Sequence, residues 1–325
     1  MKVQQLHRNQ NRKSGLLFPN LKKQSRNFLL ILAVNLFSVF IISGKSLAGD
    51  IMKTNYAVSF NSEAAFCLVK VNDILIMDSG DSSTGTMFAG QTISGLLENG
   101  ENTITVTMLG EPFSQDGSGL TPDMACKVTV EKLYPGNKSE PVITAALLVN
   151  NDKQIVPDTQ DDKSIVKFGV TDRRFESGST EVTKKFRADG LPDWRWTTAT
   201  PVTEQDIPKI KAFYEELHRA FGLQDLAKIR KITGGAWEIL ATTQGGTPDR
   251  MRDSMDFKYY FDNGYKAVPV NWDKYELHTY KNARIFRYER GYSRSSPIGL
   301  ENKENLRFNY NPYLSIIDGK VTVVH

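Results

Sequence analysis

Histidine and cysteine are scarce in this chain, four and two in 325 residues. His218, His278 and His325 stand apart from one another, and none has a His, Cys or acid at the spacing of a metal site. No glycine-rich loop precedes a helix in the manner that cradles phosphate. Gly80-Asp81-Ser82-Ser83-Thr84-Gly85 comes nearest to a hydrolase serine loop, but Gly-x-Ser-x-Gly needs glycine at 84, and the composition is that of a turn. The acidic stretch with Asp158, Asp161 and Asp162 lacks the glycine and terminal glutamate of a calcium loop. There is no internal repeat. These absences leave no metal site, no cofactor and no catalytic residue to name.

A membrane-length apolar run is also missing. The longest is Phe28 to Ile42, 15 residues interrupted by Asn35 and Ser38. As a helix it reaches roughly 22 Å, short of the ~30 Å hydrocarbon core. Seven basic side chains and no acid precede it, and Ser46-Leu47-Ala48 follows. Basic region, apolar centre and small-residue exit are the order of a signal peptide over 1–48, cut after Ala48. An uncleaved anchor is the rival reading. Eight of the 41 basic residues, and none of the 37 acids, fall in 1–48. The remainder holds 33 basic against 37 acidic residues, net −4. The basic excess of the whole chain thus belongs to the leader, and nucleic acid is not an expected partner. The expected location is the periplasm or outside the cell, with no stable membrane insertion after cleavage. In that oxidising setting the pair Cys67 and Cys126 is read as one disulfide.

The expected fold is β-rich and two-domain: an N-terminal antiparallel β-sandwich over 52–134, linker and strands over 135–202, and an α+β domain over 203–325. Alternating runs at 56–60, 67–71, 74–76, 92–96, 103–108 and 126–130, separated by turn residues, carry the first part. Pro135 to Pro141 has linker composition and contains the sequon Asn137-Lys138-Ser139. Strand-like runs follow at 142–149 and 165–170. Thr203 with Asp206 reads as a capping box, ahead of a stripe at Ile207, Ile210, Tyr214, Leu217 and Phe221. A second, shorter helix is expected over 223–232, stopping at Gly234-Gly235. Strands are expected at 236–242, 257–261, 265–270, 275–280, 284–290 and 306–310, then a hairpin around Asp318-Gly319.

The stretch from Ile210 to Ile229, with its long helix, Gly-x-x-Asp-Leu turn and second helix, resembles the opening of NTF2-like (cystatin-like α+β) domains. The resemblance covers 203–325 and implies a helix pair against a bent antiparallel sheet. In such a fold His278 would be able to face the cavity and do acid–base work.

Two clusters remain as candidate binding sites. Trp194-Arg195-Trp196 would, on an extended chain, point both indoles to one side, as a ligand platform or as core. Arg284, Arg287, Tyr288, Arg290, Tyr292 and Arg294 combine the residue types enriched at interface centres, with a solvated sheet face as the alternative. Export, one disulfide, a mildly acidic body and no catalytic constellation form a profile similar to the periplasmic immunity proteins of antibacterial secretion-system effectors. It implies a non-enzymatic binding protein whose partner is a protein toxin or effector such as a lipase. A carbohydrate- or envelope-binding module, suggested by the sandwich-like first domain and the Trp pair, and an enzyme with an NTF2-like pocket are the alternatives.

Export with processing after Ala48 predicts an intact mass for a chain beginning at Gly49. Recovery of a species that retains residues 28–42 would contradict it and indicate an anchor.

Overall fold

The strands of this chain are specified by period-two burial. In Asn55–Glu63 every second residue, Tyr56, Val58, Phe60 and Ser62, is buried. A computed structural model describes residues 54–80, 82–110, 119–136, 138–159, 164–168, 179–291 and 294–325. The leader and its cleavage point, Asn137 of the sequon, Asp161, Asp162 and Tyr292 lie outside the described residues.

In chain order the strands of the first part are β1 (Asn55–Glu63), β2 (Cys67–Val71), β3 (Ile74–Asp78), β4 (Met87–Thr92), β5 (Gly100–Leu109), β6 (Ala125–Tyr134), β7 (Lys138–Val149), β8 (Ile155–Pro157), β9 (Ser164–Lys167) and β10 (Ser179–Ala188). They form two five-stranded antiparallel sheets, ordered β4-β1-β6-β7-β8 and β3-β2-β5-β10-β9. Both sheets supply one core, with Phe60, Val128, Val130 and Leu147 from the first and Val69, Ile104, Val106 and Val182 from the second. Cys67 on β2 and Cys126 on β6 are fully buried there and joined as a disulfide, which ties one sheet to the other. The loop between them has a sequence separation of 59, and closing a loop of that length removes about 4 kcal/mol of unfolded-state entropy.

The expected linker from Pro135 is corrected. Pro135-Gly136 is the turn of a hairpin, and Pro141 lies within β7. The register slips between Val130 and Glu131, so Val142 is bulged out, and β8 covers only Leu147–Val149 of β7. Pro141 therefore sits where no ladder bond is required of it. The stretch 92–96 is not a strand either: β4 ends at Thr92, and Ser94–Leu96 is a 3₁₀ turn.

The second part contains α1 (Ile207–Gly222), α2 (Leu226–Gln244), α3 (Pro248–Asp253), α4 (Phe257–Asp262), β11 (Lys266–Ala267), β12 (Glu276–Tyr280), β13 (Ile285–Glu289), β14 (Ile298–Glu301), β15 (Arg307–Tyr310), β16 (Leu314–Ile317) and β17 (Lys320–Val323). The sheets run β11-β14-β15 and β12-β13-β16-β17. The capping box is present: the Asp206 carboxylate accepts from the Thr203 N–H at 3.0 Å and from its hydroxyl at 2.9 Å. Ile210, Tyr214, Leu217 and Phe221 are buried as the stripe requires. They join a second core rich in rings, where Phe221, Trp237, Phe257 and Tyr310 pack at centroid distances of 5.1–6.4 Å.

Two expected strands are helical. Residues 236–242 continue α2, and 257–261 form α4. The glycine pair does not stop α2; it lets α2 come close to β17. A Cβ on Gly235 would lie 2.8 Å from the Val323 carbonyl oxygen, whereas one on Gly234 would meet nothing within 4 Å. β17 is an edge strand, and the helix covers part of that edge.

The described residues belong to one compact unit. β13 is the link between its cores. Ile285 packs in the first core, Phe286 and Tyr288 in the second, and all five residues of β13 are buried.

The glycine pair gives opposite expectations. Gly234→Ala should raise stability by ~0.5–1 kcal/mol through helix propensity. Gly235→Ala should lower it by ~1–3 kcal/mol, because the added methyl meets backbone. Urea unfolding midpoints decide; equal shifts in both variants would refute the close approach.

Candidate binding cleft and the buried charge network

The pleat of β13 sends Arg287 and Glu289 to the face opposite Phe286 and Tyr288. Both are buried, at 6% and 3% exposure. Arg287 donates from Nε to Glu289 Oε1 at 2.9 Å and from Nη1 to the Asn311 carbonyl at 3.1 Å, and its Nη2 forms an ion pair with the same Glu289 oxygen at 2.7 Å. Its guanidinium lies 4.1 Å from the centre of the Tyr313 ring. The Tyr280 hydroxyl donates to Glu289 Oε1 at 2.6 Å. Burial, then the nearby Tyr313 and the carboxylate itself, pushes the Tyr280 phenol well above its ordinary range. Glu289 Oε2 faces Arg294 Nε at 3.8 Å, beyond hydrogen-bond reach, and neither atom has a hydrogen-bond partner among the described residues. Two guanidinium groups thus converge on one enclosed carboxylate.

The expected exposed Arg/Tyr surface is therefore corrected. Tyr288 is buried on the helix side, against Tyr214 and Trp272. Arg284 donates to both oxygens of Glu98, at 3.1 and 2.9 Å, and Lys281 reaches the same carboxylate at 2.7 Å. Burial works to raise the Glu98 pKa, but these two cations outweigh it and hold the group below its usual value. The contribution is present above the ordinary carboxylate pKa and is lost as pH falls through the lowered one. Arg290 lies over the Tyr275 ring at 5.2 Å. Arg294 is buried, with a left-handed backbone at φ 48°. Arginine and tyrosine here mark an internal network, and only the pleat of β13 and the return of the chain at Ser295 reveal it.

The Trp pair is core, and it is not on an extended chain. Trp194 precedes the 3₁₀ turn Arg195–Thr198, and the two rings are 6% and 0% exposed. Their indole N–H groups donate to consecutive carbonyls, Trp194 to Ser94 and Trp196 to Gly95, both at 3.0 Å. Of the histidines, His218 Nε2 lies 2.8 Å from the Val268 carbonyl. His278 stands opposite Arg287 in the ladder, on the face away from the helices, with Nε2 4.0 Å from Glu276. It does not face a helix-side cavity. The His325 ring lies beside Tyr313, and burial, aided by Arg287, presses its imidazole down to about 4.

A cleft opens where α2, β17 and the Trp194 turn meet, with a volume of about 210 Å³. Its inner wall is apolar and buried: Trp194, Ile239, Ile317, Val323 and Val324. Asp193, Arg195 and Glu238 stand exposed at its mouth. Arg195 donates to Asp318 at 3.0 Å. Neither Asp193 nor Glu238 has an ion-pair partner among the described residues. Of the Trp194-Arg195-Trp196 cluster, Trp194 and Arg195 reach this cleft and Trp196 does not line it. The rest of the wall comes from α2 and β17, whose meeting depends on Gly235. A larger opening of about 540 Å³ lies among α2, α3 and α4, and apart from Asp256 its charges are paired: Arg230 and Arg252 with Asp249, Arg252 also with Asp253, and Lys258 with Asp262. Among the described residues no group of His, Cys, Asp and Glu could hold a metal ion.

Replacing Glu289 with Gln leaves two buried guanidiniums around a neutral amide. The expected loss is ~3–5 kcal/mol in urea unfolding. Arg287→Glu should be at least as damaging, in contrast to the small effect expected of an exposed arginine. A loss below ~1 kcal/mol in both variants would show that the network is solvated.

No protein-family model, no curated protein and no solved structure matches this chain.

Proposed function

We propose that this is an exported, non-enzymatic protein that binds another protein, of the immunity type that holds a toxin or effector inactive in the periplasm. In this reading the two five-stranded sheets are a β-sandwich module stapled by Cys67–Cys126. The part from Thr203 is an NTF2-like module whose helix pair lies on one face of the β13 sheet.

One observation carries the binding reading. The buried cluster of Tyr280, Arg287 and Glu289 is committed to itself inside the protein, while the cleft at the junction of the cores presents apolar wall and surface carboxylates. That is a lining for holding a group, with no nucleophile–base pair to transform it. The buried disulfide supports an oxidising compartment. Two observations favour this reading over the alternatives: both indoles are buried, whereas a glycan platform would use exposed ones, and His278 faces away from the helices.

The test is genetic and biochemical. The tagged chain, expressed in its own host and cross-linked in intact cells, should be recovered outside the cytoplasm with one partner in fixed ratio. That partner, sent alone to the periplasm, should be toxic, and co-expression of this chain should relieve the toxicity. Recovery in the cytoplasm, or a partner whose toxicity is unchanged, would sink the reading.

A further inference from the structure

We infer that the cleft between α2, β17 and the Trp194 turn is the docking point of a basic side chain, lysine or arginine, presented by a protein partner. This rests on the protein-binding reading above and names what the site takes.

Three features argue for it. The first is size. At about 210 Å³ the cleft is smaller than the ~300–1,000 Å³ of pockets for cofactor-sized ligands, and it suits one long side chain. The second is the wall. Ile239, Ile317 and Val323 give an apolar channel for a methylene stem. Trp194 has already donated its N–H to Ser94, so what it can offer an occupant is ring surface, which attracts cations. The third is charge. Asp193 and Glu238 at the mouth have no cation of their own among the described residues, and Arg195 is occupied by Asp318. An apolar channel ending in two free carboxylates is complementary to an ammonium or guanidinium on a hydrocarbon stem. The net charge of −4 over residues 49–325 acts in the same direction at long range.

Among the described residues of the alternative anchor, the Arg284 to Arg294 segment, Arg284 is held by Glu98, Arg287 by Glu289, and Arg290 stacks on Tyr275, which leaves less charge for a partner. Asp193 and Glu238 are exposed, so their replacement leaves the core intact.

The experiment uses the chain as the cell matures it, labelled at isoleucine and valine methyls. It is titrated with a blocked Gly-Gly-Lys-Gly-Gly peptide, the same peptide acetylated at the lysine Nε, and butylamine. The lysine peptide should shift Ile239, Ile317, Val323 and Val324 while leaving Ile74 and Ile104 in place. Acetylation should abolish the shifts. Asp193→Asn with Glu238→Gln should weaken binding about tenfold or more at unchanged Tm. Absence of shifts at those methyls, or equal shifts from the acetylated peptide, would overturn the proposal. Butylamine binding as tightly as the peptide would overturn the protein as source of the cation. The partner recovered in the toxicity test separates the two ideas. If it binds the double variant as well as the original, the cleft assignment fails and the protein-binding reading stands. Lysine-peptide binding in the cleft without any such partner fails the reading and leaves the cation site.

Discussion

The structure depends on one strand buried on both sides. β13 has five residues and all are buried. Ile285 belongs to the core of the two five-stranded sheets, and Phe286 and Tyr288 belong to the aromatic core under the helices. A strand in that position cannot follow either core alone. Neighbouring elements share the arrangement: Leu314 and Ile316 of β16 face the second core and Ile317 the first, while Val323 and Val324 divide in the same way. The two cores are therefore joined through the thickness of a sheet, and helix α2 reinforces the joint by lying against the edge of β17.

Burial on both sides explains why charge is found inside. Arg287 and Glu289 occupy the face of β13 that turns toward the first core, where an unpaired charge would be costly. They are paired with each other, with Tyr280 and with the Asn311 carbonyl, and Arg294 completes the enclosure beside the Glu289 Oε2 that those bonds leave over. The same principle operates at lower burial around Glu98, which gathers Lys281 and Arg284 and so ties the start of β5 to the β12–β13 turn. Arginines that look like a recognition surface in one dimension are used to hold the two halves in register.

Function is read from what those networks leave over. At the junction of the cores a cleft opens where the α2 surface, the β17 edge and the Trp194 turn do not meet completely. Its apolar wall is continuous with the first core, and its mouth carries carboxylates that have no internal duty. The parts of the candidate site come from residues about 130 positions apart in the chain, between Asp193 and Val324, so no local motif announces it.

Local physics was enough for the elements whose faces differ. The alternation in β1, β2, β5 and β6, the capped stripe of α1 and the Asp318-Gly319 hairpin were all legible, and pairing of the only two cysteines followed from their number. It was not enough where a residue's role is set by what lies across from it. Gly234-Gly235 reads as a helix stop because glycine has poor helix propensity, yet packing against β17 needs a surface without Cβ and carries the helix through. β10 is not legible because Thr180 and Lys184 interrupt the inner face that Val182, Phe186 and Ala188 mark, so no clean apolar alternation appears. Trp194 and Trp196 were visible as a pair, but whether indoles form a platform or a core depends on the carbonyls of Ser94 and Gly95, a hundred residues earlier. Sequence alone determined periodicity, charge and the single covalent link, because these are properties of residues and their neighbours. Tertiary structure alone decided burial and partnership, because those depend on long-range contacts that no window of the chain contains.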